Sequence, residues 1–231
     1  MHSPEPRFSR IAAVIADPTR ARMLAALLGG EYRSAGELAT VAGVTPQAAS
    51  TQLAQLVDNA LVAVRQQGRH RYFCLADADV AHALEALALV GERDAVSTRW
   101  DKPGYQPLKC ARRCYGHMAG ELGVTQFEML MRCGYLKSSE SGASGLDLSN
   151  AGSMWLAKLG VTLPSKNPSR MAYRCMDWSE RKDHLAGTLS KALLDHYVAQ
   201  HWLTKQTDSR ALTVTPQGQR MLLPLLSASP S

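Results

Sequence analysis

The chain has 231 residues, 45% hydrophobic and 20% charged, enough to bury a core as one large or two small domains. Its formal net charge of +6 and pI near 9.2 suit a polyanionic partner. No apolar run approaches the roughly eighteen residues a membrane span needs, the start MHSPEPRFSR lacks the apolar core of a signal peptide, and five cysteines over this length are not a disulfide framework, so a cytoplasmic protein with free thiols and no membrane partner is expected.

Residues 1–7 carry two prolines and little to bury, and read as a loose tail. Phe8, Ile11, Ala12, Val14 and Ile15 mark a helix that stops at Asp17-Pro18. Asp17 caps the next helix, Thr19 to Leu28, which Gly29-Gly30 ends. Ala35, Leu38, Ala39 and Ala42 form a short apolar face ended by Gly43. Thr45-Pro46 then opens a further helix with a capping hydroxyl and a proline at the first position, where its missing amide costs nothing. Ala48, Leu53 and Leu56 give that helix its apolar face, and Thr45, Gln47, Ala48, Ser50, Thr51, Gln52 and Gln55 are candidates for contacts with base edges and phosphates. Val62 and Val64, then Tyr72 and Cys74, alternate as strands joined by a turn at Gln66-Gln67-Gly68. Arg65, Arg69, His70 and Arg71 on this hairpin are candidates for phosphate or minor-groove contacts. Asp77 or Asp79 caps a last helix, Val80 to Val90, apolar around most of its girth at Leu84, Leu87, Leu89 and Val90.

The order helix, turn, helix and basic hairpin is that of a DNA-reading module. Ala16 to Leu24, Glu37-Leu38-Ala39, Thr45 to Leu56, Asn59 to Val62 and Gly68 to Tyr72 together resemble the winged helix-turn-helix of the ArsR family of bacterial transcriptional repressors. The resemblance implies a symmetric dimer through the first and last helices, with Ile11, Val14, Leu84 and Leu87 either at that interface or in the core. A two-fold dimer implies double-stranded DNA bearing an inverted-repeat operator. The thiolate site of metal-sensing members is absent, since Ser34, Ala35 and Gly36 stand at the start of the third helix. Their acidic and histidine site is represented thinly by Asp79, His82 and Glu85.

The expected fold is mainly α with small β wings: a winged helix-turn-helix DNA-binding and dimerisation domain at 8–91, a linker at 92–107, and a C-terminal effector domain at 108–227. That second domain carries an internal repeat, about 110–160 and 171–226. His117 to Leu122 recurs as His184 to Leu189, an offset of 67, Tyr135-Leu136 as Trp202-Leu203, and Leu148 to Gly152 as Val214 to Gly218 at an offset of 66. Each unit reads as two helices, a turn, a strand pair and a closing helix, which is winged-helix-like, with loops at Lys137 to Leu146 and Leu163 to Ser169.

Cys110, Cys114 and His117 fall at i, i+4 and i+7, one face of a helix. If the repeats pack with pseudo-symmetry, Cys114 and His117 face Cys175 and His184, with Asp177 alongside, as two thiolates and two imidazoles that can complete a tetrahedral metal site. The same cysteines are open to a redox role or to packing. Tyr115, Trp178 and Trp202 are candidates to line a pocket for an organic effector, or are core, with Ser179 capping a helix start. The function read from this is a homodimeric repressor released from its operator by a metal ion, thiol oxidant or small organic molecule. The alternatives are an architectural DNA-binding protein without ligand and, with no oxyanion hole or phosphate loop in sight, a Cys/His enzyme; the expected answer is not an enzyme.

Overall fold

The computed structural model describes residues 8–91, 103–139, 145–164, 171–207 and 209–228. The expected tail at 1–7, most of the expected linker, and 140–144 and 165–169 of the two expected loops lie outside them. The chain forms two compact units, dividing between Ala81 and His82. Among the described residues no helix is long and apolar enough to cross a membrane.

The first unit runs α1 (Phe8–Ile15), α2 (Pro18–Leu27), β1 (Arg33–Ser34), α3 (Ala35–Ala42), α4 (Pro46–Asp58), β2 (Val62–Gln67) and β3 (His70–Leu75), and the next helix, α5 (Ala78–Gly91), crosses the division. The starts of α2, α3, α4 and α5 are built from side-chain chemistry. Asp17 accepts from the amides of Thr19 and Arg20, Thr45 from that of Ala48 ahead of Pro46, and Asp77 from that of Val80 at 2.9 Å. Each such cap is worth about 1 kcal/mol. Ser34 and Glu37 form a full capping box at α3, and Gly43 ends that helix in the left-handed region at φ 68°.

Two expectations for this unit are corrected. The buried face of α4 is Ala49, Leu53 and Leu56; Ala48 is half-buried, because the spacing i, i+4, i+7 that faces the core begins one residue later. In the hairpin, Val62 pairs with Leu75 and Val64 with Phe73. Directly opposed residues share a face, so Phe73 and Leu75 enter the core, while Tyr72 and Cys74 lie on the other face. The strands also run further than expected: Gln67 pairs with His70, which leaves Gly68-Arg69 as the turn, with Gly68 at φ 59°. Arg33 and Ser34 add a third strand against Phe73 and Tyr72. Met23, Leu24, Leu27, Leu38, Leu53 and Leu56 form the core between the helices.

In the second unit α6 (Gln106–Cys110) is followed by β4 (Arg112–Cys114), β5 (His117–Ala119), α7 (Glu121–Arg132), β6 (Leu136–Ser138), β7 (Leu146–Leu148) and α8 (Asn150–Leu159). The same order then returns as β8 (Tyr173–Met176), β9 (Asp183–Ala186), α9 (Thr188–Ala199), β10 (Leu203–Lys205), β11 (Leu212–Val214) and α10 (Pro216–Leu226). Each repeat is thus hairpin, helix, hairpin, helix. Its opening element is a hairpin where the sequence suggested a helix. Tyr115 and Gly116 form its two-residue turn in the first repeat, at φ 49° and 87°, the backbone that matches the twist of paired strands. Leu122, Phe127, Met129, Leu130, Leu189, Leu193, Leu194 and Tyr197 on α7 and α9 share one core with Leu156 and Leu222 on the closing helices.

The closing helices start identically. Ser149 accepts from the Gly152 amide and donates to Gly134 O, while Thr215 accepts from the Gly218 amide and donates to His201 O. The glycines let each helix press against the preceding turn: a Cβ would sit 2.3 Å from Tyr135 O at position 152 and 2.1 Å from Trp202 O at 218. Gly152→Ala and Gly218→Ala should each cost about 1–3 kcal/mol through overpacking, more than the roughly 1 kcal/mol that alanine gains in helix propensity. Chemical denaturation midpoints of the two variants check this; a stabilised variant would contradict it.

Candidate functional site

Two places gather chemistry. In the first unit α4 turns Gln47, Ser50, Thr51 and Gln55 to solvent, with Thr45 exposed at its start. Arg65, Arg69, His70 and Arg71 are all exposed on the hairpin. Gln52 is half-buried, and its Oε1 accepts from Arg20 Nη1 at 2.7 Å. Arg20 also donates to Val14 O and Ala13 O at the end of α1, so its guanidinium ties α1 to α4. Of the predicted contact residues, Gln52 and Ala48 are the two with reduced exposure.

In the second unit the strand registers place Cys114 opposite His117 and Cys175 opposite His184. The two hairpins bring these pairs together. One ligand atom from each of Cys114, Cys175 and His184 lies within 4.8 Å of the other two, and all three residues are buried. His117 joins them, its ring 6.3 Å from that of His184. Ala119 and Ala186 pack around the thiols, and Tyr173 covers them. Cys110 does not take part. It is exposed at the end of α6 and lines a cleft of about 570 Å³ with Leu122, Thr125 and Leu212, so the shared helical face expected for Cys110, Cys114 and His117 does not exist.

The thiols are electrostatically unequal. Cys175 is held well below the ordinary thiol range by the hydrogen bond from Cys114, against the cost of its burial, and then by His117 and His184. Cys114 is pushed up by that same bond to Cys175, by burial and by the charge of Glu85. The two sulfurs are thus shifted in opposite directions by the same contact. Burial lowers His117, with Cys175 opposing. Its Nε2 accepts from the Gly187 amide at 3.2 Å.

Asp177, in the loop between β8 and β9, organises the surroundings. Its Oδ1 accepts from Arg112 Nη2 at 2.7 Å, from Ser179 Oγ at 2.7 Å and from the amides of Ser179 and Glu180. Its Oδ2 accepts from the Gly120 amide at 2.7 Å and lies 3.5 Å from His184 Nδ1. Burial alone would raise this carboxyl, but the Arg112 charge, His184 and these hydrogen bonds hold it well below the usual carboxylate range. Trp178 to Arg181 lie in this loop, where a helix start capped by Ser179 was one reading of the sequence.

The three aromatic candidates occupy three different settings. Tyr115 is in a hairpin turn, Trp178 is buried with Arg112 over its ring at 4.3 Å, and Trp202 is buried, stacked on Tyr197. None of them lines the cleft described above or a second one of about 290 Å³ at Val161, Lys191 and His196. Arg112 and Arg113, which the sequence reading did not place in the site, are both fully buried, and Glu85, named there with Asp79 and His82, is buried on α5 and ion-paired with Arg210. The Tyr173 hydroxyl is 3.3 Å from His82 Nε2. The doubled arginine before Cys114 was the available signal for the first two, but in sequence it looks like solvated charge.

A capped two-helix motif followed by a three-stranded wing defines the first unit as a winged helix-turn-helix, the architecture of a DNA-binding protein. Residues 15–65 match the family model for a helix-turn-helix domain. An uncharacterized HTH-type transcriptional regulator of Bacillus subtilis, YdfF, is 34% identical over 216 residues, 93% of this chain and 94% of its own. The chain belongs to the HTH-type transcriptional regulators, and it is a DNA-binding transcriptional regulator. The HTH-type transcriptional regulator CmtR of Mycobacterium tuberculosis is 38% identical over 86 residues, 37% of this chain and 72% of that one. Among solved structures, a homodimeric winged helix-turn-helix domain from Mycobacterium bovis, described as a possible ArsR-family regulator, covers 42% of this chain and 97% of its own at 23% identity and TM-score 0.36. NolR from Sinorhizobium fredii covers 39% and 96% at 25% identity and TM-score 0.34.

Asp177→Asn should cost about 3–5 kcal/mol, because Arg112 is left buried without its counter-charge. The pH dependence has a definite sign. A carboxyl whose folded pKa lies below the unfolded value near 3.8 stabilises fully above that value, and this is lost as pH falls through the folded one. Denaturation at a series of acidic pH values should therefore show wild-type stability dropping below about pH 4, with a shallower drop in Asp177→Asn.

Proposed function

We propose that the protein is a homodimeric repressor that sits on an inverted-repeat operator and is released when its second unit senses an effector. One observation carries the DNA side: the outward face of α4 is a continuous row of uncharged polar side chains, and the hairpin beside it in sequence ends in four exposed cationic or imidazole residues. Gln47, Ser50, Thr51 and Gln55 suit base edges and phosphates in a major groove, and Arg65, Arg69, His70 and Arg71 suit the backbone or the minor groove. Gln52 orients α4 through Arg20. The effector side is supported by the concentration of buried ionisable groups in the second unit, outside any DNA-reading element. A ligand there releases DNA only by binding one state of the dimer better than the other. The work is done in the cytoplasm, where the DNA is.

Dimerisation is supported by apolar side chains left exposed on the helices that would carry it, Phe8 at 74% on α1 and Leu87 and Val90 at 52% and 53% on α5. Ile11 is half-buried, while Val14 and Leu84 are buried, which places those two in the core.

Gln47→Ala with Arg69→Ala should weaken operator binding by about 10–100-fold and flatten its dependence on salt by about 0.9 in slope for each phosphate that is no longer neutralised. Fluorescence anisotropy across a salt series reads both; unchanged affinity and slope would sink the proposed DNA contacts. Leu87→Glu with Val90→Glu should turn the dimer into monomers in sedimentation velocity. A variant that still sediments as a dimer would move the interface elsewhere.

A further inference from the structure

We infer that Cys114, Cys175 and His184 are the three protein ligands of a metal site for a thiophilic divalent d10 ion of the zinc group, built between the two repeats. This sharpens the reading of the second unit as the effector-sensing part and rests on it only for the metal's effect on DNA.

The donor set is two soft sulfurs and one imidazole, all buried, with their ligand atoms within 4.8 Å of one another. That chemistry selects zinc-group ions over magnesium or calcium. The site spans the repeat junction, Cys114 coming from the first hairpin and Cys175 and His184 from the second. The set also has the outer layer that metal sites carry. Both ring nitrogens of His184 are buried without a hydrogen-bond partner; Nδ1 lies 3.5 Å from the Asp177 carboxylate, which would orient the ring through that side once an ion is held at Nε2. Asp177 is itself fixed by Arg112 and the Gly120 amide.

His117 is the fourth member of the cluster, but not a ligand. Its Nε2 accepts from the Gly187 amide, so the neutral ring carries its proton on Nδ1, the other buried nitrogen. A nitrogen that holds a proton cannot coordinate. His117 is a positioning residue, its ring held beside the thiols by the Gly187 amide of the other repeat. Three protein ligands leave a zinc-type ion one position for solvent or a small ligand. On binding, each cysteine sulfur enters as thiolate, and the displaced thiol proton goes to the buffer.

The test uses the full chain, reduced and stripped with chelator, titrated with Co²⁺ and then challenged with Zn²⁺ and Cd²⁺. One equivalent of Co²⁺ should give sulfur-to-metal charge-transfer bands and intense visible d–d bands, both abolished by stoichiometric Zn²⁺ or Cd²⁺. Cys114→Ser, Cys175→Ser and His184→Asn should each weaken binding by more than about hundredfold, while His117→Asn should weaken it by about 10–100-fold and keep the two-thiolate intensity per cobalt. Thermal melts with and without metal show which variants are folded, and a metal-dependent rise in Tm for wild type that is lost in Cys175→Ser gives a second readout. Absence of charge-transfer bands in the folded wild type would overturn the site, and loss of binding in His117→Asn as complete as in His184→Asn would overturn the three-ligand assignment. Tight binding without any change in operator affinity would uphold the site and overturn the sensing reading instead.

Discussion

The second unit depends on one buried ion pair. Arg112 and Asp177 have no exposed side-chain surface and meet at 2.7 Å, and taking two charges out of water costs several kcal/mol for each. The cost is offset by the density of hydrogen bonds around the carboxylate, which accepts from two side chains and three backbone amides. Three of those donors belong to its own loop, and two, Arg112 and Gly120, belong to the other repeat. The pair therefore does what an apolar contact would not: it fixes the register in which two similar hairpins face each other. His117 ties the repeats in the opposite sense, since it comes from the first repeat and accepts the amide of Gly187, at the start of the second repeat's helix. The thiols lie between these two cross-repeat bonds.

How much of this was legible depended on whether the signal was local. Caps and turns in the first unit were readable because Asp17-Pro18, Gly43 and Thr45-Pro46 act through their own backbone neighbours, and the structure uses each of them as that chemistry dictates. Phase was harder. Ala48 and Ala49 are the same residue type in sequence, and only packing decides which faces inward. In the hairpin the alternating pattern was correct, but Tyr72-Phe73-Cys74-Leu75 is apolar on both parities, and the pairing with Val62 and Val64 chose Phe73 and Leu75.

The second unit misled in a more instructive way. Cys110, Cys114 and His117 have helical spacing by coincidence, and the residues that would have corrected it, Arg112 and Arg113, carry charges that suggest a surface. A non-glycine residue at φ 49° in a two-residue turn is uncommon, so Tyr115-Gly116 did not announce a hairpin as Asn-Gly would have. Yet the repeat itself was visible, because the phrases around His117 and His184, and around Gly152 and Gly218, mark places where backbone and side chain are both constrained. The facing of Cys114 and His117 with Cys175 and His184 followed from the repeat, even though the secondary structure assumed for it was wrong.

Arg20 has a consequence for how the first unit behaves as a machine part. One guanidinium holds two carbonyls at the end of α1 and the amide oxygen of Gln52 on α4. Helix α1 and the exposed face of α4 are thus opposite ends of one lever with Arg20 as its pin. Anything that tilts α1 must either drag Gln52 with it or break a charged hydrogen bond, and anything that seats α4 in a groove holds α1 still by the same linkage.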